Sequence, residues 1–252
     1  MPARCPAYLC IALLVARVPA AAQVAEPILT WSAVPNPAGT VSLKLDFVSA
    51  LDPTGVSTQA IPESRLEVGL GRGFETVLQM PLLRVSEPNG SSVLAGGQFS
   101  AALRYLIAGS PSGKYAISVA GRLEVPTGNS QIVGNQYQLM PMLLGEWQVA
   151  PHLLLRSNLA WNTTVSGTTA RFANFEHAHA LVWRASRRAI PVFEFVGSTN
   201  TLSGNTQLLV QPEVIVTPAR NLELKTGIWV AVFPAPHYGI RSQIAWFWGK
   251  RQ

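Results

Sequence analysis

The chain is 252 residues long, 48% apolar and only 13% charged, with 20 Gly, 19 Pro and a formal net charge of +6, where soluble domains carry roughly 25% charged residues. The shortage of charge excludes an ordinary soluble enzyme, and the apolar content, with a mean hydropathy of +0.23, excludes intrinsic disorder. No apolar run approaches the roughly 18 residues of a spanning helix, so closed sheets that face lipid head the remaining classes.

Residues 1–22 read as a secretory signal peptide: Arg4 gives the positive start, Ala7 to Ala16 the apolar stretch, and Ala20-Ala21-Ala22 a small-residue cleavage site, with Arg17 an untidy insertion between them. Cleavage after Ala22 removes Arg4 and Arg17 from the 19 basic residues, leaving 17 against 13 acidic and a charge of +4. Such a small excess, without clustering or motif, argues against nucleic acid as a partner. Both cysteines, Cys5 and Cys10, lie in this segment, so the mature chain is expected to hold no disulfide and no cysteine metal site. Residues 23–39, with Pro27, Pro35 and Pro37, form either a periplasmic tail or a plug in the lumen. A tail is the expectation, because termini stay loose unless tied down.

Residues 40–252 are expected to form one antiparallel transmembrane β-barrel, an all-β fold of about 12 strands. The candidate strands lie near 41–51, 63–71, 74–85, 96–108, 113–125, 137–148, 151–163, 174–185, 189–198, 206–217, 220–233 and 237–248. Period-two alternation marks them: Tyr115, Ile117, Val119, Leu123 and Val125 oppose Ala116, Ser118, Ala120, Arg122 and Glu124. An even strand number puts both termini in the periplasm. Tight links at Gly71–Phe74, Gln148–Pro151, Ser186–Arg188 and Pro218–Ala219 then share one rim, while longer loops at 52–62, 86–95, 126–136 and 164–173 share the other. A soluble sandwich also alternates, but it gives no reason for aromatic girdles. Here Phe74, Tyr105, Tyr115, Trp147, Trp183, Trp246 and Trp248 fall at the periplasmic rim and Tyr137, Trp161, Phe175 and Tyr238 at the outer one, matching the two interfaces of a bilayer.

The same phase turns Lys44, Asp46, Glu67, Arg104, Arg122, Glu124, Glu146, Arg156, Arg184, Glu194, Glu213, Glu223, Lys225 and Arg241 inward. Basic and acidic groups balance in this set, which points to paired networks rather than strong ion selection. A barrel of this size has a lumen suited to small solutes only. His177 and His179 share a face with Phe175 and Trp183, which places them on the lipid side near the headgroups or marks a slipped register. They lack a third ligand at a metal spacing, and no metal or other cofactor is expected. Ser157 shares that outward face and could pair with His179 as in a membrane-embedded lipase, although no Gly-x-Ser-x-Gly elbow occurs.

Several motifs carry a family resemblance. Leu66 to Leu82 (LEVGLGRGFETVLQMPL), with Gly69, Leu70, Glu75 and Pro81, resembles the strand-turn-strand signature of the phenol meta-pathway (MetA-type) outer-membrane transporter family, with Arg72 and Gly73 in a turn that there commonly includes Asp. Leu123 to Gly128 (LEVPTG), Glu194 to Gly197 (EFVG) and His237 to Phe247 (HYGIRSQIAWF) are similar to further family segments, with His237 in place of an Asp. The resemblance implies a channel in the outer membrane of a Gram-negative bacterium, taking up small hydrophobic or aromatic solutes passively, and no enzyme activity. Its implied partners are outer-membrane lipids, the solute, and the barrel insertion machinery, which reads the closing strand. Gly249 to Gln252 overhang that strand beyond Trp248. An enzyme acting on lipids and a purely structural barrel remain as alternatives.

Overall fold

The computed structural model describes residues 29–51, 57–86, 91–128, 136–167, 173–184, 186, 188–233 and 237–249. Residues 1–28, which include the stretch expected as a signal peptide, the loop tips and the residues after Gly249 lie outside these. The described chain contains thirteen strands and no helix: β1 (Val41–Leu51), β2 (Ser57–Gly71), β3 (Phe74–Ser86), β4 (Ser92–Gly96), β5 (Phe99–Gly109), β6 (Tyr115–Val125), β7 (Gln136–Ala150), β8 (Leu153–Gly167), β9 (Ala173–Trp183), β10 (Ala189–Asn200), β11 (Thr206–Ala219), β12 (Leu222–Phe233) and β13 (His237–Trp248).

Every strand pairs antiparallel with its neighbours, and β1 closes on β13 along its whole length, from Val41 opposite Trp248 to Leu51 opposite Tyr238. Since β4 and β5 both pair with β3, they are one stave in two pieces, and the thirteen strands make a closed 12-stranded barrel. The break has a local cause. Pro81 has no N–H to give the ladder, and across from it the Gly97 N–H donates to the Pro81 carbonyl at 2.7 Å, outside the regular register. The stave therefore resumes one residue out of step, Gln79 opposite Ser100 but Leu82 opposite Gly96, as a bulge requires.

The β2–β3 link is a two-residue hairpin, with Gly71 opposite Phe74 and positive φ at Arg72 (51°) and Gly73 (81°). Two positive φ values define the turn whose twist suits a hairpin, and Arg72 carries the strain of being the described non-glycine residue there.

Burial is inverted relative to a soluble domain. Lys44, Arg65, Glu67, Glu75, Arg104, Arg156, Glu194, Glu223 and Lys225 are buried, while Leu103, Ile228 and Ile240 stay at least half exposed at 50%, 55% and 58%. A large aliphatic side chain left in water forgoes about 1.5–3 kcal/mol of burial, so an entire outer face of them is stable only against acyl chains. A soluble sandwich would bury this face and expose the charges. Closure of β1 on β13 and of β2 on β3 joins the staves into a ring, as hydrocarbon demands, and short β4 keeps a single partner among the described residues.

Candidate functional site

The lumen is occupied by the chain itself. Residues 29–39 do not hang outside as a tail but cross the interior before β1 begins, because the wall offers carboxylates to their backbone. Thr30 N donates to Glu194 at 2.7 Å and Leu29 N reaches both Glu194 oxygens at 3.1 Å. The Asn36 N–H donates to Glu75, and the Asn36 side chain donates to Glu67 at 3.3 Å. In return Arg104 donates to the Ser32 carbonyl and Ser118 to the Ala33 carbonyl. Asn158, its amide oriented by its partners, accepts from Trp31 N at 2.6 Å and donates to Trp31 O at 3.1 Å, and the Arg65 guanidinium lies 5.7 Å over the Trp31 ring.

Two positions let the segment press on the wall. Trp31, Ala33 and Val34 pack against Val77, Ala102, Ala116 and Leu144 in an apolar cluster inside the lumen. Where the segment joins β1, Gly39 N donates to Gly69 O at 3.0 Å and Gly69 N to Thr40 O at 2.9 Å. Any Cβ on Gly69 would run into the Pro37 carbonyl, so the wall is glycine where the plug crosses it most closely.

The charged side chains expected inside lie on the lumenal face, joined by ion pairs and hydrogen bonds. Lys44 Nζ and Arg65 Nε both contact Glu67 Oε1, at 2.6 and 3.2 Å. Arg104 holds Glu75 at 2.6 Å, Arg156 holds Glu146 at 2.8 Å, and Arg122 pairs with Glu124. Arg184 stands 3.8 Å from Glu146, Lys225 3.7 Å from Glu223, and Arg241 3.5 Å from Asp46, which also accepts from Gln243. Gln211 bridges Glu194 and Glu213 at 3.2 and 3.1 Å. Arg65, Glu75 and Glu176 belong to this network although they were not among the residues turned inward from sequence; each lies in phase with a residue that was, so parity alone would have placed them. Trp229 is also inside, its ring lying over Gly239 of β13.

Between the plug and the wall lies a cavity of about 200 Å³. Leu29 and Trp31 of the plug, Met140 and Met142 of β7, Ala160 of β8 and Val196 of β10 supply its apolar surface, and Arg122, Asn158 and Glu176 its polar groups.

On the outer face, Tyr105, Tyr115, Trp147, Trp161, Trp183, Tyr238 and Trp248 are all exposed. Phe74 stacks on Tyr105 at 4.3 Å between centroids. Trp246 shares the outward phase of Trp248 but is half-buried. His177 and His179 point outward too, with no slip in register. They do not sit at the headgroups: Ser157 is opposite His179, midway between Leu153, opposite Trp183, and Trp161, opposite Phe175. Ser157 Oγ and His179 Nδ1 are hydrogen-bonded at 3.0 Å. The described residues contain no group of three or more potential metal ligands.

No protein-family model and no curated protein sequence matches the chain. Solved structures do. An outer-membrane channel from Pseudomonas putida F1 superposes with a TM-score of 0.69 at 9% identity, covering 89% of this chain and all (100%) of that one. The NanC porin gives 0.58 at 8% identity, over 80% and 98% of the two chains, and the KdgM porin 0.57 at 9%, over 81% and 98%. The chain has the fold of outer-membrane β-barrel channels.

Proposed function

We propose that the protein is an outer-membrane channel of a Gram-negative bacterium that passes small, apolar or aromatic solutes passively, and that it is a transporter of the MetA type. The cavity carries this reading. An apolar cavity of 150 Å³ accepts benzene, so about 200 Å³ beside Trp31, Met140 and Met142 suits a single substituted ring, and the few polar groups there can orient one substituent. The paired charges line the remaining lumen without a ring of one sign, which suits neutral solutes better than ions. The solute is a partner in this reading, as are outer-membrane lipids along the exposed face and the barrel insertion machinery at β13; cleavage after Ala22 delivers the chain to the periplasm. Proteoliposomes carrying the protein are expected to admit benzyl alcohol and phenol faster than protein-free vesicles, with folding shown by heat-modifiable gel migration. Equal rates with verified insertion rule the channel out.

The Ser157–His179 hydrogen bond favours a second reading, an enzyme acting on membrane lipids. Phospholipid turnover by the wild type that disappears in both Ser157→Ala and His179→Ala would establish it; absence of turnover in the wild type removes it.

A further inference from the structure

At one carboxylate of the lumen, Glu146, two guanidinium groups meet a single acid and keep donors unspent. On β8, Arg156 is fully buried, 0% exposed, and spends only its Nε on the wall, donating to Glu146 Oε2 at 2.8 Å. Its two terminal nitrogens meet no acceptor among the described residues. The other oxygen of the same carboxylate faces Arg184, just beyond the end of β9, whose Nη2 stands 3.8 Å away and whose Nε and Nη2 also lack a hydrogen-bond acceptor. Ser32 of the plug donates its hydroxyl to Glu146 Oε2 at 3.1 Å. Two guanidinium groups thus share one carboxylate, and one positive charge is left with its donors unspent.

Burying a guanidinium is favourable only when its charge and N–H groups are matched. A planar fork of donors matches a carboxylate in two-point contact, and a monoanion brings the set to neutrality where a dianion overshoots it. The surroundings choose between a bare anion and one with a hydrocarbon body. Ala180, opposite Arg156 in the ladder, sets only a methyl group beside the guanidinium. The adjoining wall is apolar: Leu154 stands opposite Val182, Val182 opposite Val192, and Ile190 and Ile215 complete the buried cluster. Arg184 is 34% exposed at the rim, so an anion entering or leaving meets it before the deeper Arg156.

We propose that Arg156 and Arg184 form a lumenal binding station for small monocarboxylates that carry an apolar body. The station rests on the geometry of β8 and β9; only its use in transport depends on the channel reading.

The test is calorimetric titration of the folded, detergent-solubilised protein with benzoate, its neutral isostere benzamide, and inorganic phosphate. Benzoate is expected to bind the wild type and to weaken about tenfold or more in Arg156→Gln and in Arg184→Gln, the scale of losing a charge-assisted hydrogen bond. Arg156→Lys keeps the charge, loses the fork, and should fall between. Benzamide should bind equally in all variants. If Arg156→Gln does not fold, the rim variant Arg184→Gln decides alone. Unchanged benzoate affinity in Arg184→Gln, or wild-type affinity no better for benzoate than for benzamide, overturns the station. Preference for phosphate overturns the apolar-bodied ligand. Benzoate binding without benzyl alcohol flux would sink the channel and leave the station standing, and flux without binding the reverse.

Discussion

Glu194 is where the plug can be loosened with a predictable result. It is fully buried and accepts from the backbone of Leu29 at 3.1 Å, from that of Thr30 at 2.7 Å, and from Gln211 at 3.2 Å. In Glu194→Ala the two plug amides lose a charged acceptor while closed and regain water when open. Hydrogen bonds to charged groups contribute roughly 1.5–3 kcal/mol each. Taking the lower end for both, because Leu29 is half-buried, local opening becomes easier by about 3 kcal/mol, on the order of a hundredfold. Amide hydrogen exchange reads this directly: the Leu29 and Thr30 amides should exchange about a hundred times faster, in proportion to their open population. The Asn36 amide, held by Glu75 on another stave, is the internal reference and should not change. Unaltered protection at Thr30 in a folded variant would refute the idea that Glu194 anchors the plug, and a matching change at Asn36 would mean that the segment leaves as one piece.

Other positions give independent checks. Gly69→Ala puts a methyl into the Pro37 carbonyl; the strain should destabilise the barrel by about 1–3 kcal/mol, lowering the temperature of its gel-mobility shift. Arg104→Ala strands the fully buried Glu75 and should cost roughly 3–5 kcal/mol in urea titrations of the refolded barrel, part of it restored by adding Glu75→Ala; a double variant no more stable than Arg104→Ala argues against the pair. Arg72→Asn relieves a positive φ of 51° with a residue that tolerates it, and a gain of about 0.5–1 kcal/mol is expected in the same titration.

The barrel was legible because its code is local. Alternation needs only near neighbours, so Lys44, Asp46, Glu67 and Arg156 could be turned inward, and Trp161 and Trp183 outward, from parity. What lay between strands far apart in sequence was not legible. Pro81 was visible as a residue of β3, but the interruption it causes at Gly97 is a property of the neighbouring stave, so 86–95 was read as a loop before a strand at 96–108, where the structure has β4 (Ser92–Gly96) ahead of β5. The plug failed to show for the same reason: residues 29–39 have no periodicity, and what ties them down is supplied by Glu194, Glu75, Arg104 and Ser118 on four different strands. The candidate site inherits that gap, since Leu29 and Trp31 form part of its cavity and neither was marked by any pattern.

The outward histidines then pose a sharper question than they did in sequence. From Leu153, level with Trp183, to Trp161, level with Phe175, β8 climbs eight residues, about 20 Å along the membrane normal at the usual strand rise and tilt. His179 and Ser157 sit halfway, and His177 two residues further along, all inside hydrocarbon. The Ser157–His179 bond satisfies one polar pair, but His177 Nδ1 has no partner among the described residues, and its ring lies over Gly197. A buried ring nitrogen left unsatisfied costs about 1–3 kcal/mol. His177→Leu removes that cost and keeps apolar contact with Phe195, whose ring centroid is 5.7 Å from that of His177. The variant should therefore resist urea in lipid vesicles by about 1–2 kcal/mol more than the wild type. A loss of stability in vesicles, with none in detergent, would show that His177 meets a polar partner in the membrane, and the face of β8 to β10 would then be an interface rather than a lipid-facing surface.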